Sequence, residues 1–135
     1  MTDFSLDKRL VNDCHVIKES EKFYYLLHEN AEVAWFIIVP DTDKSEFFEL
    51  DSCLQNQLCE RINQLSEFIR EHFDSDKINV ATIGNVVSQM HVHVIGRRRD
   101  DVYWPDVVWG RQSEKRYSPQ QLTSIKKQFI SQINQ

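Results

Sequence analysis

Hydrophobic positions along this chain follow two different periods, and the switches between them mark out its elements. Residues 15–19, 23–28 and 33–39 are short runs rich in β-branched and aromatic side chains, the third closed by Pro40. The polar clusters Glu19-Ser20-Glu21-Lys22 and Glu29-Asn30-Ala31-Glu32 separate them at hairpin distance, which predicts an antiparallel meander. The period then lengthens. Leu54, Leu58, Ile62, Leu65 and Ile69 recur at steps of four, four, three and four, one apolar stripe on a long helix. Ser52 with Gln55 reads as the capping box that starts it, and Arg70 and His72 suit its negative C-terminal end. Two further strands are expected at 78–83 and 90–97, joined by Gly84-Asn85-Val86-Val87-Ser88. Ser118-Pro119-Gln120-Gln121 opens a last helix with Leu122, Ile125, Phe129 and Ile133 on its buried side. Near the start, Ser5 is placed to cap a short helix carrying Leu6, Leu10 and Val11 on one side. The prediction is an α+β domain: an antiparallel sheet of about five strands, a long helix packed on it and a C-terminal helix.

Length makes this a single domain over 1–135, since 135 residues bury one core and not two. The formal net charge of −5 argues against stable binding of nucleic acid, which needs a basic stripe. A nucleotide ligand stays open, because a phosphate site needs only a few local donors. No stretch reaches the roughly 18–20 apolar residues that span a membrane. The opening MTDFSLDKRL lacks the apolar core of a secretory signal. Cys14, Cys53 and Cys59 are odd in number and include no C-x-x-C pair. They are expected to be reduced thiols serving as small core residues in a cytoplasmic protein. Phe23, Tyr24, Tyr25, Trp35, Phe36, Phe47 and Phe48 are expected in the core or in a dimer contact, not as base-stacking platforms. Trp104 and Trp109 share a loop after the 90–97 strand, which implies a pocket wall or a partner surface.

The chemistry concentrates between Gly84 and Arg97. Alternate side chains of a strand share a face, so Gln89, His91, His93 and Arg97 line one side while Met90, Val92 and Val94 face the core under the long helix. Two imidazoles about 6–7 Å apart along a half-buried strand call for more than packing. A metal is one competitor, since H-x-H places two ligands on one face. Val94-Ile95-Gly96-Arg97 supplies no further ligand, and His15, His28 and His72 lie far off in sequence, so no metal site is assigned and no cofactor is expected.

Met90-His91-Val92-His93-Val94-Ile95 resembles the second half of the histidine-triad (HIT) superfamily motif, His-φ-His-φ-His-φ-φ with φ apolar, and Gly84-Asn85 resembles that family's phosphate-side loop. The order of elements over 15–97 is similar as well. The chain looks especially like a bacterial branch with Gln-x-His-x-His in place of the full triad, followed by an Arg-rich stretch, here Arg97-Arg98-Arg99, and a Trp-Pro…Trp-Gly loop.

The resemblance implies a HIT-like fold and a nucleotide hydrolase or nucleotidyl transferase, metal-independent and commonly a homodimer. His91 takes the place of the nucleophile and His93 that of the third histidine, with Gln89 where the first would stand. Glutamine can hydrogen-bond a phosphate oxygen but is no acid near neutral pH. The expected step is attack by one His91 nitrogen on an α-phosphate while the other donates to a backbone carbonyl. His93, Gln89 and the backbone around Asn85 and Val86 would stabilise the equatorial oxygens. Leu27, Glu29 and Asn30 are expected around the nucleoside, Asn79 beside the phosphates, and Arg97 with Arg98 and Arg99 on a long polyphosphate. The leaving group stays open between a nucleotide, as in a dinucleoside polyphosphate, and the amine of a phosphoramidate. Two rivals remain: a nucleotide-binding or sensing module with little turnover, motivated by Gln89, and a metal-dependent hydrolase built on His91 and His93.

Overall fold

The computed structural model describes residues 4–133; positions 1–3 and 134–135 of the expected 1–135 domain lie outside the described residues. A short helix α1 (Lys8–Asp13) leads into strands β1 (Cys14–Glu19), β2 (Phe23–His28) and β3 (Ala34–Pro40). The long helix α2 (Ser52–Phe73), strands β4 (Lys77–Ala81) and β5 (Val92–Arg97) and helix α3 (Pro119–Gln132) follow. The strands form one antiparallel sheet in the order β1-β2-β3-β5-β4. β3 lies in the middle and all its residues are buried, which is why its sequence is continuously apolar and not alternating.

One face of the sheet carries the main core. Tyr25, Leu27, Phe36, Ile38, Met90, Val92 and Val94 pack there against Leu58, Leu65, Phe68 and Ile69 of α2 and Ile125 and Phe129 of α3. The other face is covered by α1 and the loop after β5: Leu26, Trp35, Ile37, Val39 and Ile95 meet Leu10, Tyr103 and Val108. Where α2 ends it comes close to β5, and Gly96 makes room. A Cβ there would run into the Ser75 hydroxyl and the Ile69 side chain.

Several local expectations change. Asp51, not Ser52, caps α2, accepting from the Leu54 N–H at 2.8 Å. Gln55 instead donates to the carbonyls of Phe47 and Leu50, tying the preceding turn to the helix. Asp7, not Ser5, caps α1, with Leu10 buried and Val11 exposed. Ser118 and Gln121 do form a reciprocal capping box on α3. Cys53 and Cys59 are exposed, so these two are not core residues, while the half-buried Cys14 packs against the second core. α2 spends its apolar side chains on one stripe and leaves both of its cysteines off it. Among the described residues no helix is long and apolar enough to cross a membrane.

Candidate active site

The second face of the sheet is not fully covered. A cleft of about 370 Å³ opens between α1, the 84–87 loop and Trp109, floored by His91, His93, Trp35 and Ile37. Gly84 turns the loop at φ +70°, a conformation glycine adopts freely. At its other end the cleft meets a hollow of about 650 Å³ lined by Glu29, Asn30, Arg111 and Arg116, with Asp13 and His28 shared between the two.

His91 comes just before β5. Its Nδ1 lies 2.6 Å from the Gln89 carbonyl oxygen, and Thr82 Oγ1 donates to the His91 carbonyl at 2.9 Å. A carbonyl can only accept, so Nδ1 carries the hydrogen and, in the neutral ring, Nε2 has the lone pair. His93 is arranged the opposite way. The Trp35 indole N–H donates to His93 Nδ1 at 2.9 Å, and indole has no acceptor to offer, so the hydrogen of neutral His93 sits on Nε2. Two rings with centroids 5.0 Å apart therefore present a lone pair and a donor to the same cleft.

Further aromatic contacts hold this pair. His28 stacks on Trp35 at 4.0 Å between centroids, and Trp109 packs edge-on against both Trp35 and His93. Burial, with the His91 and His28 rings nearby, pushes the His93 pKa down to about 3. Burial also lowers that of His28, against the pull of Asp13 and Glu29. Cys14, on the cleft wall, is pushed up to about 12 by burial and by Asp13 and Glu29, so its thiol stays protonated.

His93 gives stability a pH dependence of known sign. Its folded pKa lies below the ordinary value of 6.5, so between pH 6.5 and about 3 the unfolded chain binds a proton that the folded chain does not. Stability is therefore full above pH 6.5 and falls as pH drops, at up to about 1.4 kcal/mol per unit from this group. Urea unfolding between pH 7.5 and 4.5 measures the slope. His93→Gln, which keeps an acceptor for the Trp35 N–H, should flatten it; an unchanged slope assigns the acid loss elsewhere.

Other expected site residues stand in different places. Gln89 does not line the cleft: its Oε1 accepts from the Asp7 N–H and its Nε2 donates to the Ser5 carbonyl, both at 2.8 Å. Leu27 pairs with Phe36 and points into the helix-side core. Arg97 shares the histidine face but is 1% exposed. Its Nε and Nη2 bind the Asp101 carboxylate at 2.9 and 3.1 Å and its Nη1 donates to Asn79 Oδ1 at 3.1 Å, so neither Arg97 nor Asn79 reaches the cleft. Arg98 pairs with Asp100 and Asp74 on the surface. Asn30 adjoins the hollow, but its amide is taken by the Tyr103 hydroxyl and the Glu32 N–H. Glu29 borders the same hollow, 3.5 Å from Arg116. Asn85 and Val86 line the cleft as expected, and His28, Trp35, Trp109 and Arg9 join them. Among the described residues, no three His, Cys, Asp or Glu side chains form a group that could hold a metal ion.

A family model, the HIT domain, matches residues 9–100. The chain belongs to the HIT family. Similar solved structures are histidine triad proteins from three bacteria. That of Bradyrhizobium japonicum is 31% identical with a TM-score of 0.90, over 96% of this chain and 98% of that one. That of Sinorhizobium meliloti is 31% identical with a TM-score of 0.91, over 98% and 99%. That of Marinobacter aquaeolei is 37% identical with a TM-score of 0.88, over 95% and 94%. A comparison with curated protein sequences gives no match. HIT membership points to nucleotide binding and to hydrolase or transferase chemistry.

Proposed function

We propose that the chain is a nucleotide hydrolase or nucleotidyl transferase working through a covalent nucleotidyl-histidine at His91. The opposed tautomers of His91 and His93 carry this reading. The His91 Nε2 lone pair attacks the α-phosphorus, and the bond from phosphorus to the leaving group breaks with its electron pair going to the leaving atom. The Nδ1–H stays on the Gln89 carbonyl, which shares the positive charge that develops on the ring. His93 Nε2–H and backbone N–H groups of the 84–87 loop donate to the equatorial oxygens. Water then attacks the same phosphorus and gives up a proton to solvent, the P–N bond breaks, its electron pair returns to Nε2, and nucleoside monophosphate leaves. An acceptor other than water makes the same second step a transfer. On this reading the ribose lies at the Glu29 end and the phosphates at the loop.

A second reading, a nucleotide-binding module with little turnover, draws on Gln89, whose side chain is spent on the N-terminal segment. One experiment separates the two. With chelator present, the chain is given a diadenosine polyphosphate and an adenosine phosphoramidate, and monophosphate release and intact mass are followed. Release with a transient nucleotidyl adduct mapped to His91 is expected. Nucleotide binding with neither release nor adduct overturns the enzyme in favour of the module.

A further inference from the structure

The Arg-rich run that the sequence offers for a polyphosphate is occupied elsewhere: Arg97 is buried against Asp101, and neither Arg98 nor Arg99 lines the cleft. A different cation is there. Among the described residues lining the His91 cleft, Arg9 is the only lysine or arginine. Two partners hold it in place. Its Nη1 donates to the Val86 carbonyl of the loop at 2.9 Å, and its Nε and Nη2 bind Asp7 at 3.2 and 3.1 Å. Asp7 is fixed in turn by the Gln89 side chain. Three of the five guanidinium N–H groups are used, and two remain for a ligand.

Its place along the cleft matters. α1 runs lengthwise beside it: the Asp13 carbonyl accepts from the Glu29 N–H at one end, while Arg9 reaches the loop at the other. Four residues of helix separate them, about 6 Å of rise. A nucleotide with its ribose at Glu29 and its α-phosphate at His91 sends its leaving group towards Arg9. We infer that Arg9, clasped by Gln89 through Asp7, is the binding site for the second phosphate of the substrate, so that this chain selects phosphoanhydrides over phosphoramidates. The inference rests on the nucleotide reading above.

Proton supply agrees with it. An amine must take up a proton as its bond to phosphorus breaks, whereas an anhydride leaving group departs as a phosphate anion. Among the described residues, the side chains placed around His91 by the motif and by the sheet do not supply that acid. The Gln89 amide is no acid, His93 Nδ1 is occupied by the Trp35 N–H, and His28 Nδ1 accepts from the Asn30 N–H. Burial keeps both of these rings neutral near pH 7.

The test compares binding of AMP with that of the uncleavable α,β-methylene analogue of ADP, by calorimetry on the full chain at low salt. Wild type should prefer the diphosphate by about tenfold, the order of one charge-assisted contact. Arg9→Gln should bring the two affinities to near equality, and Arg9→Lys should keep part of the preference. AMP does not reach Arg9, so its affinity reports the fold of each variant, and a general loss of structure lowers both affinities while leaving their ratio alone. An unchanged ratio in Arg9→Gln, or no preference in wild type, overturns the inference. An Arg9-dependent preference without an adduct at His91 sinks the enzyme reading alone, and an adduct with an Arg9-independent ratio sinks this one alone.

Discussion

Replacement of His91 by alanine is expected to abolish monophosphate release and the covalent adduct together, lowering turnover by more than about a thousandfold. Loss of one hydrogen-bond donor to a developing oxyanion typically costs about a hundred- to a thousandfold. His91 supplies the atom that bonds to phosphorus, so its loss removes the pathway as well as a contact. His91→Gly should recover part of the rate when free imidazole is added, because the added ring attacks the α-phosphate in place of the missing one. The product is then the nucleoside phosphorimidazolide in solution, with no adduct on the chain. Single-turnover assays with intact-mass detection measure all three. Release that persists in His91→Ala would mean that water or another group attacks directly, and the two-step mechanism would be wrong.

The architecture of this site was only partly written in local sequence. The stripe from Leu54 to Ile69 obeys a single period and lies on α2, and the strand expected at 90–97 appears as β5 from Val92 to Arg97, starting two residues later. Trp35 is different. It sits inside the apolar run Trp35-Phe36-Ile37-Ile38-Val39, buried on both faces, and a strand of that kind shows no alternation to reveal which side chains face a site. His28 lies far from His91 in sequence and joins the cleft through sheet order alone. β2 and β3 lie side by side with β5 next, so His28 stacks on Trp35 and Trp35 reaches His93.

Gln89 has the strand parity expected of it but precedes β5, and its partners at Ser5 and Asp7 are more than 80 residues away. No motif spacing reports such a contact. Arg97 was the more legible of the misplaced residues. Asp101 follows it at i+4, and the buried pair they form shuts the guanidinium away from the cleft. Parity gave Arg97 the right face, but the partner decided what it does there.

That partner underlies the largest expected loss of stability. Asp101→Ala should cost about 3–5 kcal/mol, the range for removing one member of a buried ion pair. The carboxylate accepts from Arg97 and from the backbone N–H groups of Arg98, Tyr103 and Trp104. Burial on its own raises its pKa, but these donors outweigh it and hold the carboxyl below the ordinary range. Without it, a guanidinium with 2% of its side chain exposed is left with the Asn79 amide oxygen and the Trp104 ring, and three N–H groups of a turn lose a carboxylate acceptor.

Arg97→Met should cost less, because its stem still fills the site and the carboxylate keeps its three backbone donors. The turn anchored by Asp101 also starts the loop that carries Tyr103, hydrogen-bonded to Asn30, and Trp109, a wall of the cleft. Asp101→Ala should therefore weaken nucleotide binding although Asp101 does not line the cleft. Urea unfolding at pH 7 and nucleotide titration of both variants decide it. A cost below about 1 kcal/mol for Asp101→Ala, or a larger cost for Arg97→Met, would show that the turn is held by something other than this carboxylate.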